Sequence, residues 1–169
     1  MKITLPVLRK TAFDQETFRF TTPSEYLALH PECQVSTPSL SSWGWKGYNE
    51  VWLEGSNDWI YRHLHWIADK MVELANQGAD GDPLVTRALN QAAREVLLAQ
   101  SSDWAFIMKT GTSVDYAVRR FKTHIHRFHR AAGMVESGAY DENYLREISA
   151  RDSLFPDIDY RIFQSRTWV

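Results

Sequence analysis

Apolar residues recur at three- and four-residue steps over three long stretches of the chain, and that period predicts amphipathic helices. In the first stretch Ile60, Leu64, Ile67, Met71 and Leu74 make one stripe, starting near Ser56 or Asn57 and ending at Gly78, which suits a left-handed cap. Asp82-Pro83 supplies a cap and a first-turn proline to the second, where Val85, Leu89, Ala92, Val96 and Ala99 hold the apolar face up to Gln100. The third is expected to begin near Thr112, three residues before Asp115 in a capping-box pattern. It carries Val114, Val118, Phe121, Ile125 and Phe128 inward and is expected to stop at Gly133. Between the second and third, Ser101-Ser102-Asp103-Trp104 makes Asp103 an acid of a turn or helix terminus.

Shorter elements flank these stripes. Thr22-Pro23-Ser24-Glu25 has the residues of a capping box and predicts a short helix from Tyr26 to His30, halted by Pro31. Asp141 is placed to cap a last helix with Tyr144, Leu145 and Ile148, and the segment from Pro156 to Phe163 is expected to pack as an aromatic tail. No strand pair is evident, and helical stripes of similar width on short connections bury one another most simply side by side. The expected fold class is all-α: an antiparallel helical bundle of three long helices with shorter helices and an aromatic loop.

That loop runs from Gln34 to Leu53, where the helical period lapses and Ser, Pro and Gly punctuate the chain. Gly44 and Gly47 allow tight turns, while Trp43, Trp45, Tyr48 and Trp52 offer flat apolar faces with polar tips. A pyranose ring stacks its C–H face on an indole and takes hydrogen bonds through its hydroxyls, for which Asn49 and Glu50 are at hand. A core plug or a protein interface has the same composition. Composition sharpens the question, because seven Trp, seven Tyr and eight Phe make 13% of 169 residues aromatic.

Charge removes some partners. A formal net charge of −2 gives no electrostatic footprint for nucleic acid or an anionic membrane, although Arg119, Arg120, Lys122, Arg127 and Arg130 with His124, His126 and His129 gather on one helix and read as a solvated basic face. No window approaches the ~18 apolar residues of a membrane span, and Met1-Lys2-Ile3-Thr4-Leu5-Pro6 opens no apolar stretch long enough to be expected as a signal peptide. Cys33 is the only cysteine, which excludes an intramolecular disulfide and a multi-cysteine zinc cluster and suits a reducing, cytoplasmic setting. His63 and His65, two apart, fall on different faces of a helix and make no metal pair, so neither metal nor cofactor is expected. No two acids are marked as a glycosidase pair, and no catalytic residue is assigned.

Several ordered blocks resemble a known family. Ser41-Ser42-Trp43-Gly44, Gly47-Tyr48-Asn49-Glu50-Val51-Trp52 and Trp59-Ile60-Tyr61-Arg62-His63-Leu64-His65 are similar to the start of the C-terminal helical domain of glycoside hydrolase family 57 branching enzymes. Asn90–Glu95, Gln100–Phe106, Tyr116–Arg120 and Phe155–Arg161 are similar to later blocks, in order, over nearly the whole chain. The resemblance implies a helical domain forming one wall of the cleft where an α-1,4-glucan such as glycogen, amylose or a maltooligosaccharide is cut and re-attached as an α-1,6 branch. It matches Trp43 and Trp52 to two active-site tryptophans, sets Asp103 and Trp104 near that cleft, and leaves Trp45, Tyr48 and Lys46 to the same loop. Trp45 and Lys46 depart from the smaller or acidic residues of the family.

By the same resemblance the nucleophile and acid/base belong to a catalytic barrel that precedes this region. Leu8–Gln15 is similar to the end of that barrel, so residues 1–20 are expected to be a junction and residues 21–169 the helical domain. The chain alone is expected to be inactive, an accessory part of a 1,4-α-glucan branching enzyme that works with a separately encoded barrel, or that self-associates through its uncovered face. A stand-alone glucan-binding or regulatory protein of the same fold is the alternative.

Overall fold

The computed structural model describes residue 13 and residues 15–165. These fall into two compact units that divide between Ser39 and Leu40. The first holds a short helix, α1 (Pro23–Leu29), opened by the expected capping box: the Thr22 hydroxyl accepts the Glu25 N–H, and the Glu25 carboxylate accepts the Thr22 N–H at 2.7 Å. The helix ends before His30, because a residue ahead of proline is pushed out of the helical region. Most of the Leu8–Gln15 block lies outside the described residues.

The second unit is a helical bundle: α2 (Tyr61–Gln77), α3 (Pro83–Ala99), α4 (Ser102–Thr110), α5 (Val114–Ser137) and α6 (Glu142–Arg151), with single 3₁₀ turns at Trp45–Gly47, Asp58–Ile60 and Tyr160–Phe163. Among the described residues there is no strand. Helix α3 is the central element, in contact with α2, α5, α6 and the C-terminal turn. Its Leu89, Ala92 and Val96 meet Ile67, Met71 and Leu74 of α2 and Phe121 and Phe128 of α5 in one core, as the stripes predict. A smaller cluster joins Ala88, Met134, Leu145 and Ile148.

Three local expectations are corrected and one is decided. Helix α5 does not stop at Gly133 but runs on to Ser137, with Gly138 as its left-handed cap at φ 68°. Ala131, Ala132 and Met134 are all buried there, and continued packing outweighs the roughly 1 kcal/mol that a mid-helix glycine costs. The capping box at Thr112 does not form; Ser113 is the cap residue, and the Thr112 hydroxyl pairs with that of Thr110 at 3.3 Å. Of the two readings of Asp103, turn or helix terminus, the second holds: it lies in the first turn of α4, a helix that was not predicted because nine residues are too short to display a period. Finally, the basic face of α5 is not wholly solvated: His124 and Arg127 are buried.

The C-terminal segment straps the bundle. The Arg94 guanidinium donates to the carbonyls of Leu154 at 2.6 Å and Phe155 at 3.1 Å. The Asn90 side-chain oxygen accepts the Tyr160 N–H, and Gln164 reaches the Ala75 carbonyl. Tyr160 is buried, as expected of an aromatic tail.

Candidate functional site

Backbone chemistry shapes the aromatic loop before its indoles matter. The Ser42 hydroxyl accepts the Gly44 N–H at 2.9 Å and donates to the Tyr48 carbonyl, while the Ser42 N–H reaches the Gly47 carbonyl at 2.6 Å. This closes a tight ring around Gly44, where an added Cβ would stand 2.3 Å from the Tyr48 oxygen. Lys46 is held at φ 56°, a left-handed conformation unusual for a side-chain-bearing residue, and its ammonium sits 4.2 Å above the Trp45 ring.

The loop presents its rings outward. Trp43 is 83% exposed, Trp45 62% and Tyr48 55%, while Trp52 is half-buried. Trp43 and Trp52 both tilt against Phe106 of α4, with ring centroids 6.4 and 6.1 Å away and interplanar angles of 38° and 35°. Phe106 thus brings together two indoles nine positions apart. Asp103 is exposed on the first turn of α4 and accepts a bond from the Ser101 hydroxyl at 3.0 Å. It stands three residues before Phe106, on the same side of the helix.

Trp104 is placed differently. Two residues from Phe106, it projects from the other side of α4, lies nearly parallel to the His124 ring at 6.2 Å, meets Tyr116 edge-on, and donates its indole N–H to the Leu98 carbonyl at 2.8 Å. The structure therefore gathers Trp43 and Trp52 around Phe106 with Asp103 a turn away, and does not bring Trp104 to them. Phe106 is the residue that sequence reasoning missed as part of the site. Its signal is the helical i, i+3 relation to Asp103, which is visible only once α4 is known to be a helix.

Electrostatics around the loop are local. The Glu54 carboxyl is held at about 2 by bonds from the Ser56 hydroxyl and N–H and by Lys109, whose ammonium lies 3.1 Å away at the end of α4. Beneath Trp104, Glu95, His124 and Asp152 bring one ligand atom each to within 4.8 Å of one another, a spacing that would suit a metal ion. Glu95 accepts from His124 Nδ1 at 2.7 Å, Arg120 lies 3.1 Å from His124 Nε2, and Arg127 pairs with Asp152. A cation would compete with two guanidinium groups, so the cluster has the chemistry of a buried ion-pair network.

His63 and His65 diverge as their spacing requires, His65 to solvent and His63 to a groove of about 340 Å³ shared with Trp59, Phe121, Ile125, His126 and His129. The His129 ring stacks on Trp66 at 4.5 Å. Burial pushes its pKa down, and the nearby His126 and His63 push it further.

A helical bundle with an exposed tryptophan loop docked on a short helix defines the class, an all-α module. The family model described as "1,4-alpha-glucan branching enzyme, C-terminal" matches residues 63–163, and the chain belongs to that family. The 1,4-alpha-glucan branching enzyme TK1436 of Thermococcus kodakarensis is 34% identical over 118 residues, covering 68% of this chain and 18% of that protein. Among solved structures, the alpha-amylase AmyC from Thermotoga maritima is similar at 41% identity and a TM-score of 0.71, over 94% of this chain and 29% of its own. The GH57-type branching enzyme from Pyrococcus horikoshii is similar at 34% identity and a TM-score of 0.76, over 88% and 29%. The chain therefore spans less than a third of the length of these relatives. No helix among the described residues is long and apolar enough to cross a membrane.

Proposed function

We propose that this chain is an accessory domain of a cytoplasmic α-glucan-active enzyme of the family 57 type, and that its aromatic loop lines the cleft that holds an α-1,4-glucan. The observation carrying this reading is the pair of indoles, Trp43 and Trp52, set around Phe106 on an exposed loop of a branching-enzyme C-terminal domain. Trp45 and Tyr48 extend the platform, and Asp103 supplies an acceptor for glucan hydroxyls. Trp104 supports α4 from below rather than meeting sugar. In a retaining transfer a glycosyl-enzyme must be attacked by a sugar before water reaches it. An aromatic wall favours the sugar by stacking the acceptor and displacing water.

The nucleophile and acid/base come from a catalytic barrel, in cis or as a separate chain, and residues 1–20 form the junction toward it. The relatives include an enzyme titled an amylase as well as branching enzymes, so the reaction set by that barrel is hydrolysis or transfer. A stand-alone glucan-binding role remains the second reading, favoured by the exposure of the loop rings on this chain itself.

Titration of tryptophan fluorescence with a maltooligosaccharide series tests the proposal. A saturable, length-dependent change is expected. The double substitution Trp43→Ala and Trp52→Ala should weaken it by ~30-fold, from about 1 kcal/mol per lost stacking contact. Unaltered affinity in the double variant would refute the role of the indole pair.

A further inference from the structure

Asn57, in the turn between the aromatic loop and α2, has no exposed surface at all, and it is polar. A buried primary amide must find partners or lose about 1–3 kcal/mol per stranded group. Asn57 finds three, all on the backbone. Its Oδ1 accepts the Glu54 N–H at 2.9 Å, and its Nδ2 donates to the Val51 carbonyl at 2.9 Å and to the Ala105 carbonyl at 3.2 Å. The last bond joins residues 48 positions apart.

The two carbonyls are well chosen. Val51 is the neighbour of Trp52 in the chain, and Ala105 is the neighbour of Phe106, so one planar amide fixes the height of the loop against α4 at the point where the rings meet. Tyr61 adds a second tie, because its hydroxyl donates to the Trp52 carbonyl itself. Both ties come from the start of α2 and the turn before it, and neither residue touches a loop ring through its own polar atoms. The loop's other anchors are Ser42, which closes it only upon itself, Lys109, which holds Glu54 from an exposed position, and the packing of Trp52 against the core.

We propose that Asn57 is a positioning residue for the glucan site, an amide clasp that sets Trp43 and Trp52 in register with Phe106, with Tyr61 as its accessory. This rests on the glucan reading of the loop for its purpose, though not for its geometry. The clasp preorganises the two indoles as a fixed cleft, so that sugar binding does not have to order the loop. Asn57→Asp is the informative substitution. It keeps the oxygen that accepts from Glu54 and replaces the donor with an acceptor facing two carbonyls, so it unclasps α4 without opening the turn.

The experiment compares the wild-type chain, Asn57→Asp and Tyr61→Phe by ¹H–¹⁵N spectra of the indole N–H groups, nuclear Overhauser effects to Phe106, circular dichroism and titration with maltoheptaose. The expected result is a helical spectrum and a single cooperative melt for Asn57→Asp, with the Trp43 and Trp52 signals displaced and their effects to Phe106 lost. Maltoheptaose affinity should fall by ~10-fold, with a smaller loss in Tyr61→Phe. Indole signals and Phe106 contacts unchanged in Asn57→Asp would overturn the proposal. If that variant unfolds outright, Tyr61→Phe decides, and unmoved indoles there overturn it too. A wild-type chain that ignores maltoheptaose, while the indoles still shift in Asn57→Asp, would sink the glucan reading and leave the clasp standing.

Discussion

His129 shows how much one side chain can report. Its ring stacks on Trp66 at the edge of a groove that also holds His63, His126 and Lys122, with no carboxylate among the lining residues. Burial first, and the neighbouring imidazoles after it, lower its pKa below the ordinary 6.5. The unfolded chain therefore takes up this proton at a higher pH than the folded one. The stability from the neutral ring is complete above the unfolded value and is lost as pH falls from about 6.5 through the folded value. Thermal melts at pH 7.0 and 5.5 should show the wild type losing more stability than His129→Gln, and equal losses would contradict this account. The residue scale is also where sequence reading did least. Trp43 and Trp52 were singled out from resemblance and chemistry, and both rings lie against Phe106. Asn57 and Phe106 were not, because a buried amide and a docked ring are defined by partners far away in the chain.

Element by element, the long stripes gave nearly every buried face, and the errors sit at ends. Ile67, Met71, Leu74, Leu89, Val96, Phe121 and Phe128 are all buried where the period placed them. Asp82 caps α3 through the Leu84 N–H at 2.7 Å, as its position before proline implies. Gly133 misled because glycine both ends helices and is tolerated inside them, and only the packing of α5 against its neighbours decides which. The glycine inside α5 and the one that caps it now make opposite predictions. Gly133→Ala, with nothing within 4 Å of the new Cβ, should stabilise by ~0.5–1 kcal/mol and raise the melting midpoint by a few degrees. Gly138→Ala forces a side chain onto φ 68° and should cost about 1 kcal/mol. Melts of the two variants that shift the same way would show that the helix ends elsewhere.

For the whole molecule, the relevant comparison is with relatives more than three times as long, which this chain matches over 18–29% of their length. The loop that carries Trp43, Trp45, Tyr48 and Leu53 leaves these side chains largely exposed, and grouped apolar surface of that kind favours association. In sedimentation runs the chain alone is expected to self-associate as concentration rises, and Trp43→Ala should weaken this; a monomer throughout would argue that the loop is covered only by a bound glucan. Fold class was legible at this scale because short connections between stripes leave few arrangements. The division of the chain at Ser39 was not, since the Ser- and Pro-rich stretch around it was read as part of one aromatic loop.

The strap formed by residues 152–165 has a consequence for how the protein is made. Arg94 is buried among groups supplied by Gln91 and by the carbonyls of Leu154 and Phe155, and Asn90 waits for Tyr160. When Arg94 is added to the growing chain, its carbonyl acceptors are still 60 and 61 residues from being made. Until then the Arg94 guanidinium has only Gln91 of its own helix and water as partners, Asn90 lacks Tyr160, and that side of α3 stays wet. The bundle is thus sealed late in synthesis, and a nascent chain stalled before Leu154 carries an open, hydrated seam that a finished one does not.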